Sequence, residues 1–205
     1  MRLYSLAVVK TFQADANKEP VICSQAIDVS SFGFFQRNSV KEFIVFLTRT
    51  VSKRVARGSK TQITENGNVV FACSTLDGLV AIAISDIEYN SCVALRLLAD
   101  ILPQFETTFR GKYDAVSGKV DNFLEWPYLS EMLDKYQKPE EQDKVLKIKR
   151  DIEDTKIIMY NAIDQIIERG QKIDDLVSQS EDLGAASKSF YKQAKQTNAG
   201  CCSLM

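Results

Sequence analysis

The sequence closes on "TNAGCCSLM", with two adjacent cysteines just ahead of a short apolar tail. Residues 202–205, Cys-Ser-Leu-Met, have the C-a-a-X form, in which the cysteine sulfur is alkylated by an isoprenoid. A terminal methionine favours farnesyl on Cys202, and Cys201 beside it is placed for a reversible palmitoyl thioester. The pairing matters because a single lipid chain gives only marginal membrane binding, and stable anchoring takes two signals. Lys188, Lys192 and Lys195 come just before the tail, with no acidic residue after Asp182. Each adds about 1 kcal/mol against an anionic leaflet. The plainer reading of the same residues is a frayed end with two free thiols, and Ser203 is not aliphatic.

Other chemistry is scarce. Cys23, Cys73 and Cys92 lie in apolar surroundings, form no C-x-x-C pair, and read as small buried hydrophobes. The chain has no histidine, which removes zinc sites of the usual spacing, His-dependent triads and most general-base schemes. No catalytic constellation is found, so an enzyme is not expected, and neither is any cofactor beyond covalent farnesyl and palmitoyl. A small GTPase shares the length and the tail, but "TFQADANKEP" after the first strand holds no glycine for a phosphate loop. A net charge of -1 gives no argument for nucleic acid. No apolar run reaches the ~18 residues of a spanning helix, and "MRLYSLAVVK" reads as a strand, not a signal peptide. That places the five cysteines in reducing cytosol, without structural disulfides.

These side chains need elements to position them. Residues 1–137 alternate like an α+β domain. "RLYSLAVVK" and "VICSQAIDV" read as strands. "NSVKEFIVFLTRTVSKRVARG" reads as a helix, capped by Asn38 or Ser39 and stopped at Gly58. Asn66-Gly67 marks a hairpin, "LVAIAISD" continues the meander, and "SCVALRLLADILPQFETTF" is a helix disturbed near Pro103. A short helix follows in "VDNFLEWPYLSEMLDKYQ". The order ββαβββαα predicts an antiparallel sheet packed by helices. The polar stretch around 135–142, with Pro139, reads as a linker.

Residues 138–200 contain a different pattern. From about 140 no proline interrupts, and one helix of about 80–90 Å is expected at ~1.5 Å per residue. Alternating steps of three and four trace Val145, Ile148, Ile152, Thr155, Met159, Ala162, Ile166, Arg169, Ile173, Leu176, Ser180, Leu183, Ser187, Phe190, Ala194 and Thr197. Eleven of these sixteen are apolar, a sustained coiled-coil seam. Ile158, Ile163 and Ile167 widen it, as suits a bundle of several helices. Gly170 and Gly184 each weaken an isolated helix by about 1 kcal/mol. The segment should therefore join partner helices or lie on its own N-terminal domain. Arg169 stands mid-seam, tolerable when partner helices supply acceptors at its level and fix the register; the alternative is that it is simply solvated.

"IIERGQKIDDLVSQSEDL", with its central arginine, resembles the motif of an R-SNARE, and "SFGFFQRNSVKEFIVFL" resembles part of a longin domain. The whole resembles the prenylated longin R-SNAREs of the YKT-six type. That resemblance implies a profilin-like longin domain over 1–137, a SNARE motif over 138–200 and a lipidated tail over 201–205. It implies that Arg169 forms the ionic layer, and the other fifteen seam residues the surrounding layers, of a parallel four-helix bundle with three Q-SNARE helices. It also implies vesicle docking and fusion on the cytosolic face of Golgi, ER–Golgi, endosomal and vacuolar or lysosomal membranes. Ser180 and Ser187 are weaker seam residues than that family's usual aliphatics. A lipidated coiled-coil tether shares the tail and the heptads, but has no reason to keep a mid-seam arginine.

One side chain remains. The first helix has its stripe at Val40, Phe43, Ile44, Leu47, Val51 and Val55, and Phe46 lies well off that stripe's centre. Either a loop covers Phe46, or it forms a docking patch with Phe43. Longin domains fold back on their SNARE motif, so the resemblance implies that this patch holds residues 140–198 in an autoinhibited form.

Overall fold

The computed structural model describes residues 1–12, 18–113, 120–138, 156–167 and 170–200. In chain order these form β1 (Leu3–Lys10), β2 (Val21–Ile27), α1 (Arg37–Ser52), β3 (Lys60–Glu65), β4 (Asn68–Ser74), β5 (Leu79–Asp86), α2 (Ser91–Phe109) and α3 (Pro127–Lys135). The second part adds β6 (Ile157–Tyr160), α4 (Ile173–Gln179) and α5 (Ala185–Gly200). The strand order is β2-β1-β5-β4-β3-β6, antiparallel except for the parallel pair β3–β6.

Strand β5 shows how one sheet serves two cores. Successive side chains of a strand point to opposite faces. Leu79, Ala81 and Ala83 pack with α2 and α3, whereas Val80, Ile82 and Ile84 pack with α1. Every residue of β5 up to Ser85 is buried, as befits a strand covered on both faces. The hairpin between β3 and β4 turns on Asn66 and Gly67, both at positive φ (47° and 77°), the backbone that a two-residue I′ turn requires. Gly78 sits at φ +85°, and a Cβ there would lie 2.9 Å from the Thr11 carbonyl oxygen, so the turn into β5 needs glycine.

Several boundaries differ from the sequence expectation. Helix α1 begins at Arg37, before the expected caps Asn38 and Ser39, and Gln36 at its N-cap makes no side-chain capping bond. It ends at Ser52, well short of Gly58, in a tightened last turn where the Arg54 amide bonds to the Val51 carbonyl three residues back. Helix α2, capped by Asn90, runs unbroken through Pro103. Pro103 is exposed, while Ile101, Leu102 and Phe105 around it are buried and hold the turn in place.

The largest difference lies in the second half. The single helix expected over 140–198 is not what residues 156–200 form. They make a strand, a 3-10 turn at Ile163–Gln165 and two separate helices, with Gly170 at φ +95°, where no α-helix continues. The physical reason is the exposed seam: a lone helix would leave it in water, whereas lying on the domain buries Ile163, Ile167, Ile173, Val177, Leu183 and Tyr191. Among the alternatives drawn from the sequence, this is the one in which the segment lies on its own N-terminal domain. The α+β class stands. Residues 139–155, which hold half of the expected linker and Val145, Ile148, Ile152 and Thr155, lie outside the described residues, as do Arg169, Cys201 and Cys202.

Candidate functional site

Helix α1 presents two apolar surfaces. Val40, Ile44, Leu47 and Val51 face the sheet, while Phe43 and Phe46 lie to the side. The second surface is where the C-terminal segment docks. Phe43 stacks against Phe46 (ring centroids 6.0 Å apart) and against Tyr191 of α5 (5.2 Å). Phe46 is buried and shares a small polar-rimmed pocket with Leu176 and Asp182. The cover over Phe46 is thus the C-terminal segment, which makes Phe43 and Phe46 a docking patch. Between α1 and the docked segment lies an apolar cavity of about 200 Å³. Tyr4, Phe32, Val40 and Phe43 line one side and Ile163, Ile173, Phe190 and Ala194 the other.

Two further modes of recognition fasten the segment. Strand β6 adds to the open edge of β3 in register Lys60↔Ile157 through Ile63↔Tyr160, so backbone groups are satisfied and the edge is covered. Polar side chains then fix the register of the helices. Glu42 of α1 accepts hydrogen bonds from the Gly184 amide (3.1 Å) and the Ser187 hydroxyl (2.6 Å). Arg49 bridges Asp121 of the N-terminal domain and Asp182 of the segment. Glu65 accepts the Ile163 amide at 2.9 Å. Within the segment, the Tyr191 hydroxyl donates to Asp174 at 2.7 Å, and Lys195 also pairs with Asp174. These bonds, Lys195's first, hold the Asp174 carboxyl below its ordinary range. Its contribution is therefore present above the usual carboxylate pKa and is lost as pH falls through the lowered value. Burial, then the Asp174 carboxylate, pushes the Tyr191 phenol up.

The seam residues divide. Ile173, Leu183 and Ser187 are buried, Ala162, Ile166, Leu176, Ser180 and Phe190 half-buried, and Met159 and Ala194 exposed; Thr197 is placed by its backbone within α5. The docked face is rotated off the seam, because Ile163, Ile167, Val177 and Tyr191, each one residue beyond a seam position, are all buried. Ser187, an apparent weak spot, is the donor to Glu42. Lys188 donates to the Ser178 carbonyl and Lys195 pairs with Asp174, which leaves the expected basic stretch partly engaged. Cys23 and Cys73 are buried and their thiols are pushed up to about 12, which makes them packing groups.

Sequence comparison bears on what docks here. A family model described as Synaptobrevin matches residues 144–203, and the Longin model, described as a Regulated-SNARE-like domain, matches residues 29–136. The "VAMP-like protein YKT61" of Arabidopsis thaliana is 42% identical over 205 residues, all of both chains. The "Synaptobrevin homolog YKT6" of Eremothecium gossypii is 35% identical over 205 residues, again all of both, and the "Synaptobrevin homolog ykt6" of Schizosaccharomyces pombe is 36% identical over 203 residues, 98% of each. The chain belongs to the YKT6-type longin-domain R-SNAREs. As a YKT6-type R-SNARE it works in vesicle trafficking without catalysing a reaction, and it associates with other SNAREs through helical bundles. Among the described residues no helix is long and apolar enough to cross a membrane.

Because the docked face is rotated off the seam, the docking contacts can be altered without altering the seam residues. In this YKT6-type chain Tyr191 belongs to the docked face and not to the seam, so Tyr191→Ala removes the stack on Phe43 and the bond to Asp174 while Phe190 and Ala194 remain. Truncating a buried aromatic costs about 3 kcal/mol, which shifts the closed-to-open ratio roughly 100-fold. Amide exchange in α5 is expected to accelerate accordingly, with the thermal stability of assembled SNARE complexes unchanged. Unchanged exchange would show that the contact carries no closing energy.

Proposed function

We propose that the chain is a self-inhibited vesicle R-SNARE, anchored by farnesyl on Cys202 and palmitoyl on Cys201. It exchanges its own α1 face and β3 edge for three Q-SNARE helices. The observation that carries this reading is the seating of the Synaptobrevin-like segment: Ile173, Leu183 and Ser187, all seam positions, are buried against the domain. A seam position occupied internally is unavailable to a partner, so docking and bundle formation compete, and partners shift the population toward the open form. The apolar cavity beside Phe43 suits the isoprenoid while the chain is off the membrane. Opening straightens residues 156–197 into one helix, which requires Gly170 to leave its positive φ. Zipping toward the tail then draws the lipid anchors toward the partners' membrane, driven by seam burial at about 25 cal/mol per Å².

Arg169 gives the direct test. Arg169→Gln should leave residues 1–137 folded, yet weaken the complex with three glutamine-bearing helices by roughly 1–3 kcal/mol, the worth of a charge-assisted buried contact. The readout is the melting temperature of the SDS-resistant complex, and a Gln→Arg change in one partner should restore it. No SDS-resistant complex with any Q-SNARE helices would instead favour a lipidated tether.

A further inference from the structure

The loop into α1 contains two phenylalanines that neither the closed form nor the seam uses. Phe34 is 77% exposed and Phe35 95%, with their rings edge-to-face at 5.5 Å. The loop that carries them is braced. Arg37 donates to the carbonyls of Phe32 and Ser30 (both 3.1 Å), the Gln36 amide to Gly33 (2.8 Å), and Phe32 packs on Tyr4. The two rings are thus held outward by a fixed scaffold, and large exposed apolar groups so presented mark an interaction surface.

We infer that Phe34 and Phe35 are a membrane-inserting wedge through which the closed form first meets the bilayer, beside the end of α5 that leads to the tail and before opening delivers the lipid; this rests on the lipid-anchored reading above. The course of α5 carries the argument. Ala194 lines the same cavity as Phe32, so the C-terminal half of α5 lies on the side of the domain that carries the Phe34–Phe35 loop. Gly200 is about 9 Å further along the helix axis, and Cys201 and Cys202 follow directly. Two rings exposed on one braced loop need no complementary pocket in a fluid bilayer, whereas a protein partner would have to supply one. Exposed Lys41 of α1 and Lys192 of α5 add attraction to acidic headgroups on the two helices that flank this loop.

The test uses the farnesylated full chain carrying Phe35→Trp. The native Trp126 is packed against Phe105 and Tyr128 and serves as a constant background. With phosphatidylcholine–phosphatidylserine vesicles bearing brominated acyl chains, the emission of the new indole is expected to be quenched. Phe34→Ser with Phe35→Ser should lower vesicle partitioning about 10- to 100-fold, since two exposed aromatic rings lose their burial, with the melting temperature unchanged. Absence of quenching, with or without flotation of the protein, overturns the wedge. So does a blue shift that occurs only when SNARE partner helices are added. If Cys202→Ser leaves flotation unaltered while the indole introduced by Phe35→Trp is still quenched, the wedge stands and the anchor reading is the one that fails.

Discussion

Phe46→Glu will hold the molecule open. Phe46 is 8% exposed, and its surroundings are shared by the N-terminal domain and the docked segment, with Leu176 and Asp182 on one side and Phe43 on the other. A glutamate there loses the aromatic burial, faces the Asp182 carboxylate, and sits partly out of water. Arg49 offers one attraction, but its guanidinium is already divided between Asp121 and Asp182. The balance destabilises the closed form by about 3–5 kcal/mol, a shift of roughly 10² to 5 × 10³ in the closed-to-open ratio. The molecule can relieve that cost without unfolding, since release of α4 and α5 leaves the introduced carboxylate on the solvent side of α1. The expected results are a larger hydrodynamic radius, protease cleavage within residues 156–200, faster assembly with Q-SNARE helices, and an unchanged fold of residues 1–137. Phe46→Leu keeps the apolar contact and should stay closed. A Phe46→Glu protein with the wild-type radius and cleavage pattern would mean that the patch does not hold the segment.

What the sequence reveals about this patch, and what it hides, follows from where each interaction partner lies. The order of strands and helices through Lys135 was legible because each element has its own local pattern: the alternation in β5, the stripe on α1, and Asn66-Gly67 at the hairpin. Phe46 was legible as an anomaly, because a large apolar group off its helix stripe needs a cover. The form of that cover was not legible. "KIIMYNAIDQII" satisfies a heptad step and also contains the β-branched run Ile157–Ile158. Which pattern prevails depends on whether the β3 edge is open beside it, a fact of tertiary structure. Gly170, a flaw in a continuous helix, is at home at the φ +95° the folded-back chain adopts there. Glu42 and Arg49 went unmarked because each is an ordinary surface charge on α1 until Ser187 and Asp182, more than a hundred residues along, come to rest beside it. Val177 and Tyr191 were missed for a related reason: a seam count follows one face of a helix, and the dock reads the neighbouring face.

Cys202→Ser will abolish membrane association altogether, and Cys201→Ser will only weaken it. On the lipid-anchored reading proposed above, a serine hydroxyl is not a substrate for thioether formation and acylation of the adjacent cysteine follows prenylation, so the first change would remove both lipids. The second removes one and leaves a marginal, reversible anchor. Fractionation should therefore place the Cys202→Ser chain entirely with the soluble proteins, and the Cys201→Ser chain in both fractions, exchanging on washing. The closed form adds a condition. If the isoprenoid occupies the cavity lined by Phe43 and Phe190, opening delivers it to the bilayer, and Phe46→Glu should raise the membrane-bound fraction of a chain with an intact tail. The double variant Phe46→Glu/Cys202→Ser discriminates: it should be open, protease-sensitive and yet soluble. Firm membrane binding of that double variant would show that the exposed segment or the Phe34–Phe35 loop, and not the tail, is what the membrane retains.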